Sequence, residues 1–249
     1  EALEEAAFSE KLETIGGSAF QSCNSLQKVI IPDKKAGNVI MGDFAFSSSG
    51  IETLQLGYGI EYISEGCFCG TNIKELVLPD SVINIDEEAF WCCQELKKIK
   101  FGKKIKSIGE GAFASCDVLK NVSLNEGLEE IGESAFAYGY KTVGYIDEDF
   151  MLNSVWIPYS VKKLGSNVFT KANIFFEAAS LPDEVATDWN SNSDKVKAFM
   201  NCGQSMEING LYYYLTDKGA VAVYYDGKEK VFQDIFKVKA VDTTAAGDT

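Results

Sequence analysis

Seven cysteines are the first residues in this 249-residue chain whose types and spacing could do chemistry. Cys67 and Cys69 stand in C-x-C spacing, and Cys92 and Cys93 are adjacent; Cys23, Cys116 and Cys202 complete the set. Structural zinc sites ordinarily use C-x-x-C knuckles, so these spacings do not point to a metal, and no metal or cofactor is expected. The number is odd and the chain is not small, so no disulfide framework is implied either. The chain has no His. That excludes Ser-His-Asp and Cys-His nucleophile pairs, His-containing zinc sites and the commonest general base.

A second cluster is basic. "KKIKFGKKIK", Lys97 to Lys106, holds six lysines in ten residues, among them Lys98 and Lys100. Such a patch could attract acidic glycans or nucleic acid. It lacks the Arg and interleaved aromatics of nucleic-acid grooves. The whole chain carries a net charge of −14. A strongly acidic protein is a poor general binder of nucleic acid or anionic membranes, so nucleic acid is not an expected partner. The lysines read as the solvent side of a strand and its turn. No apolar run reaches the length of a transmembrane helix, so direct membrane insertion is not expected. The first residues, "EALEEAAFSEKLE", lack the basic start of a signal peptide.

The third candidate is the tail "VDTTAAGDT", Val241 to Thr249. It resembles the D-T-x-G-A-G-D motif of ribokinase-type sugar kinases. The resemblance implies an anion hole from Ala245, Ala246 and Gly247, with Asp248 as base. Ala245 departs from the family's first Gly. A sugar kinase needs an αβ body before this motif, and here repeats occupy that space. A phosphate loop without its helix and sugar pocket would not catalyse. The expectation is therefore a non-enzyme, with a sugar-kinase-related fragment as the alternative.

The elements that must position these residues form a repeat. Phe20, Phe46, Phe68, Phe90, Phe113, Phe136 and Phe169 recur at intervals of 22 to 33 residues. Five residues before each stands Ile15, Met41, Ile63, Ile85, Ile108, Ile131 or Leu164. Eight before stands an apolar residue in every copy but the second, which has Asn38. After each Phe follows a strand-like L-x-x-V-x-L, as in Leu26/Val29/Ile31 and Leu119/Val122/Leu124. A period near 23 with this pattern is a leucine-rich repeat signature, and about seven copies exceed the roughly three needed for stability. One copy cannot bury its apolar side, but stacked copies bury a continuous column. Cys23, Cys93 and Cys116 share one repeat position with Ser49 and Thr71, where a small buried side chain explains all five.

The form "I-G-x-x-A-F-x-x-C-x-x-L-x-x-V-x-L" closely resembles the BspA-like leucine-rich repeat family over residues 5–200. The resemblance implies a non-enzymatic, adhesin-like module of a secreted or cell-surface bacterial protein, binding a protein or glycan. The fold expected is an α/β repeat solenoid, a leucine-rich repeat horseshoe with a short parallel sheet on its concave face and a small β-rich C-terminal appendage. The divisions expected are 1–177 for the solenoid, 178–206 for a closing segment and 207–249 for a hairpin-rich segment. In that last segment "EINGLYYYLTDKGAVAVYY" alternates around turn signals.

Function is sought where the copies differ. Two are long: "PDKKAGNVIMGDFAF" carries extra residues, and "AYGYKTVGYIDEDFM" brings Tyr138, Tyr140 and Tyr145. Insertions in solenoids become loops on one face, often the binding face. Strand alternation assigns an outward column of Ile30, Gln55, Val77, Lys100, Ser123, Trp156 and Phe175. Trp156 and Phe175 read either as an exposed recognition pair or as residues under a terminal cap. A purely structural spacer within a larger protein is the remaining functional alternative.

Overall fold

The structure, a computed structural model, describes residues 2–138, 152–178, 180–190, 196–199, 206–208, 211–216, 219–223 and 232–233. Its main body is a parallel β-solenoid with three walls. The first wall is a sheet of the L-x-x-V-x-L segments. Strands Glu5–Ala7, Lys28–Ile31, Thr53–Leu56, Glu75–Val77, Lys98–Lys100, Asn121–Ser123, Ser154–Ile157, Ala172–Phe176 and Val196–Phe199 stand side by side in chain order. Their paired members are parallel and in repeat register, as Val29↔Leu54 and Val155↔Ile174 show.

The second wall is also a sheet, built from two-residue strands. These run from Thr14–Ile15 and Ile40–Met41 through Tyr62–Ile63, Asn84–Ile85, Ser107–Ile108, Glu130–Ile131 and Lys163–Leu164 to Glu184–Val185. In each, the second residue is turned into the core and all but Val185 are fully buried.

The third wall is the A-F turn. Here the expected α/β character is corrected: among the described residues there is no α-helix. The backbone takes a left-handed residue at intervals of four, as at Ser18 and Ser22 or Phe44 and Ser48. Ser18, Phe44, Glu88, Ser134 and Asn167 all have φ between 51° and 56°, and Ser22, Ser48, Cys92 and Ser115 lie between 55° and 59°. A non-Gly residue with positive φ is uncommon and interrupts a helix. The freed N–H groups therefore point along the solenoid. Phe20 donates to the Ala45 carbonyl at 2.7 Å, Phe68 to Ala89, Phe90 to Ala112 and Phe113 to Ala135, each at 2.8 Å. A buried turn would otherwise strand its backbone donors.

The core lies between the walls. Phe20, Phe46, Phe68, Phe90, Phe113, Phe136 and Phe169 stack with centroids 5.1 to 5.8 Å apart and planes within 10° of parallel. Edge-on rings close both ends. Phe8 meets Phe20 at 5.8 Å, while Trp189 meets Phe169 at 6.3 Å and Phe176 at 5.7 Å. In the second copy Val39 is buried and Asn38 is exposed, so the long segment slips the apolar position by one residue instead of losing it. In four turns the residue after the core position is a glycine, Gly42, Gly109, Gly132 or Gly165, that lets adjacent turns approach. A Cβ at Gly165 would sit 2.4 Å from the Glu133 nitrogen.

Strands Met206–Ile208, Leu211–Thr216, Gly219–Val223 and Phe232–Gln233 form an antiparallel sheet, pairing Tyr212↔Val223 across its central hairpin. Residues 241–249, with Ala245, Ala246, Gly247 and Asp248, lie outside the described residues, as do Tyr140 and Tyr145.

Candidate functional site

Cys67, Cys69, Cys93 and Cys116 are buried in the core, and burial suppresses the thiol chemistry of Cys67, Cys69 and Cys116. Cys93 donates to the Phe68 carbonyl at 3.2 Å and Cys116 to the Phe90 carbonyl at 3.3 Å. Ser49 and Thr71, in the same column, donate to the carbonyls of Phe46 and Phe68. This position thus supplies a small donor to the Phe-turn carbonyls. Burial pushes the thiols of Cys67 and Cys116 upward, and that of Cys69 to about 11. A thiol held protonated at neutral pH is a poor nucleophile. Among the described residues no group of three or more Cys, Asp or Glu is placed to hold a metal ion.

The outward column of the first sheet is in register as the alternation requires: Ile30↔Gln55, Val77↔Lys100, Ser123↔Trp156 and Trp156↔Phe175. Its exposure is not uniform. Gln55, Val77, Lys100 and Ser123 are open, and Val77 is 56% exposed. Trp156 and Phe175 are buried, at 6% and 0%. The expectation of an exposed aromatic pair is corrected: Ser154–Ile157 is buried on both faces, as is most of Ala172–Phe176, and strand Val196–Phe199 adds beside them. A strand covered on both faces needs no polar side. Lys98 is engaged in an ion pair with Glu75 at 3.1 Å, one of several pairs between adjacent turns, alongside Lys28–Glu5 and Lys74–Glu52. Among the described residues Lys100 forms no ion pair. Tyr138 is half-buried, and its N–H donates to the Thr170 hydroxyl at 3.0 Å.

A concave site lies instead on the edge between the two sheets, beneath the first long segment. It is a groove of about 220 Å³ that draws on four successive turns, through Lys34 and Lys35, Tyr58 and Glu61, Ser81, and Lys104. The segment is pinned from within. The Lys34 ammonium donates to the carbonyls of Leu12 at 2.7 Å and Asn38 at 3.0 Å. The backbone N–H groups of Lys34 and Val39 donate to the carbonyls of Tyr58 and Gly59. Gly37, with φ 75°, takes the left-handed bend of this loop. On the facing side the Gly59 N–H donates to the Ser81 hydroxyl at 3.1 Å. Tyr58 is 50% exposed and Lys104 is exposed.

Tyr58 was not singled out by the sequence pattern, nor was Tyr62, 49% exposed on the adjacent strand. A copy-by-copy comparison carries the signal. Tyr58 stands where other turns carry Asp33, Asp80, Lys103 and Tyr159, and Tyr62 stands where they carry Thr14, Ile40, Asn84, Ser107, Glu130 and Lys163. Exposed rings at these outward positions are not explained by the core, and Tyr159, 73% exposed, repeats the Tyr58 position in a later turn.

Along the opposite side of the second sheet, Asp43, Glu65, Glu87, Glu110 and Glu133 occupy one column, each accepting through its carbonyl from the turn before. Asp86 lies beside this column. Burial, and then the charges of Asp43 and Glu65, raise its carboxyl above the ordinary value. Farther along, Glu129 is bridged by Lys106 at 2.9 Å and Lys162 at 3.0 Å, and these two bonds hold its carboxyl down at about 2.

The regularity of the three walls is matched by sequence. Six copies of the BspA type leucine rich repeat region cover residues 1–36 and 39–174. The chain belongs to this family. No curated protein matches it. Solved structures similar to the chain include a leucine-rich repeat protein from Bacteroides ovatus, 18% identical, covering 78% of this chain and 60% of that one with a TM-score of 0.46. A leucine rich cell surface protein from Faecalibacterium prausnitzii is 20% identical, with 79% and 60% covered and a TM-score of 0.44. The pneumococcal vaccine antigen PcpA is 17% identical, with 74% and 60% covered and a TM-score of 0.48. The chain thus spans about 60% of the length of these structures.

Proposed function

We propose that the chain is a recognition module of a secreted or cell-surface protein, binding a protein or glycan without catalysing a reaction. The observation that carries this reading is the division of labour within each turn. Apolar repeat positions fill the core, and the Phe-turn N–H groups are bonded to the next turn. The side chains free of these duties stand outward at fixed spacing and differ from turn to turn, as Gln55, Val77, Lys100 and Ser123 do. A rigid solenoid presenting a varied row of side chains suits recognition. Membership of the BspA type family supports the same reading, and with it a surface location.

A panel of extracellular-matrix proteins and immobilised glycans, screened with the full chain and with the double variant Val77→Glu/Lys100→Glu, tests it. Capture of a protein partner that the variant weakens at least about tenfold is expected for a sheet-face contact. A chain that binds nothing on the panel contradicts the proposal.

A further inference from the structure

The geometry points to the groove beneath Lys34–Asn38 as a binding site for an acidic saccharide, a sugar bearing a carboxylate or sulfate. The inference rests on the reading of the chain as a recognition module and names a second surface for it, distinct from the sheet face.

Four features carry it. The first is size. About 220 Å³ is below the roughly 300–1,000 Å³ of pockets for drug-sized ligands. It suits one ring of a longer chain that continues over the surface. The second is charge. In a chain of net charge −14 the groove gathers three lysines, Lys34, Lys35 and Lys104, against the carboxylate of Glu61. Lys34 spends two of its three donors on carbonyls and keeps one. Lys35 has a loose pairing with Glu10, 3.7 Å away and open to solvent on both sides. Its ammonium is therefore exchangeable for a ligand anion, at little cost.

The third feature is the aromatic wall. Tyr58 offers half of its surface, and its ring suits the C–H face of a sugar while its hydroxyl meets water or a ligand oxygen. The fourth is the neutral and anionic hydrogen-bonding set. The Ser81 hydroxyl accepts from Gly59 and has its own proton to give, and the Glu61 carboxylate accepts from sugar hydroxyls. A cation set alone would serve any anion. The addition of an aromatic face and a hydroxyl-accepting carboxylate selects a polyhydroxylated one. Nucleic acid is disfavoured by the overall negative charge and by the absence of Arg. An apolar peptide is disfavoured by a lining that is largely polar or charged.

The test is calorimetric titration of the full chain with oligogalacturonate and chondroitin sulfate oligosaccharides, with a neutral cello-oligosaccharide and poly-glutamate as comparators. The variants are Tyr58→Ala, Lys104→Glu and the sheet-face variant Val77→Glu/Lys100→Glu. Circular dichroism confirms that each remains folded. Both groove residues are exposed, so their replacement leaves the core intact. The expected result is binding of an acidic oligosaccharide, weakened at least about tenfold by either groove substitution and by raised salt, and unchanged by the sheet-face variant. Acidic-saccharide binding lost only in the sheet-face variant overturns the groove assignment and leaves the recognition reading standing. Equal or tighter binding of poly-glutamate overturns the ligand class. Binding of neither saccharide, with protein partners still captured on the sheet face, overturns the groove alone. No binding to any glycan or protein overturns both.

Discussion

Replacing Phe90 with Ala tests whether the stacked rings carry the stability of the solenoid. Phe90 is fully buried between Phe68 at 5.4 Å and Phe113 at 5.2 Å, with planes 10° and 2° from parallel. Truncation removes one ring from the middle of a continuous column and leaves a cavity that the two neighbouring turns cannot close, since their backbones are tied to it by the Phe68 and Phe90 ladder bonds. Phe→Ala in a close-packed core costs about 3–5 kcal/mol, and the upper half of that range is expected here. Phe20 supplies the internal control. It holds the same repeat position, but it is half-buried and has one stacked neighbour, Phe46, with Phe8 edge-on. Its truncation should cost roughly half as much. Urea unfolding followed by far-ultraviolet circular dichroism measures both. Because each turn contacts only its neighbours, the Phe90 variant should also divide the transition, lowering the apparent m-value. If Phe90→Ala costs no more than Phe20→Ala, the column is not what couples the turns, and the reasoning fails.

Two further outcomes follow from the titratable groups. Burial, with Asp43 and Glu65 nearby, raises the Asp86 carboxyl in the folded state above its unfolded value. The folded state then holds the proton more tightly, so this group's contribution to stability falls as pH rises through that window. Asp86→Asn should raise the midpoint of thermal unfolding by about 1–2 °C at neutral pH, the effect being small because the group is half in water, and the gain should vanish in acid once the wild-type carboxyl is protonated. Melting curves of both proteins across the acid range check this, and a gain that persists or grows in acid would reverse the sign of the argument. The thiols of Cys67 and Cys116 are buried and pushed upward. Iodoacetamide should label them slowly in the native protein at mildly alkaline pH and quickly in denaturant, read by peptide mass spectrometry; rapid native labelling of either residue contradicts the packed-thiol assignment.

Much of the fold was legible because a solenoid turns sequence period into spatial neighbourhood. Residues one repeat apart touch, so the spacing of Phe20 through Phe169 already contained the ring column, and the alternation in L-x-x-V-x-L already contained the register of the outward row. The A-F segment was harder to read. Its composition is compatible with a helix, and the left-handed residues that prevent one include Phe44 and Glu88, which carry no such signature in their type. Only the ladder to the next turn over-determines those angles. The slip that buries Val39 instead of Asn38 was hidden for a similar reason: an insertion changes which residue reaches the core, and the neighbouring turn decides it.

The candidate site divides in the same way. The sequence by itself determined which positions are architecture, that Cys93 and Cys116 share the column of Ser49 and Thr71, and that the second copy is long. The tertiary structure decided what is open to a ligand. Trp156 and Phe175 point outward by alternation, yet they are buried, because exposure depends on what covers a strand and not on the strand's own pattern. Tyr58, Ser81 and Lys104 come from three different turns, at neighbouring repeat positions that differ in residue type from copy to copy, and the stack sets them around one groove. Periodicity is a local property that each turn imposes on the next. A concave surface is a property of several turns at once, and its lining is chosen by the folded edge between the sheets.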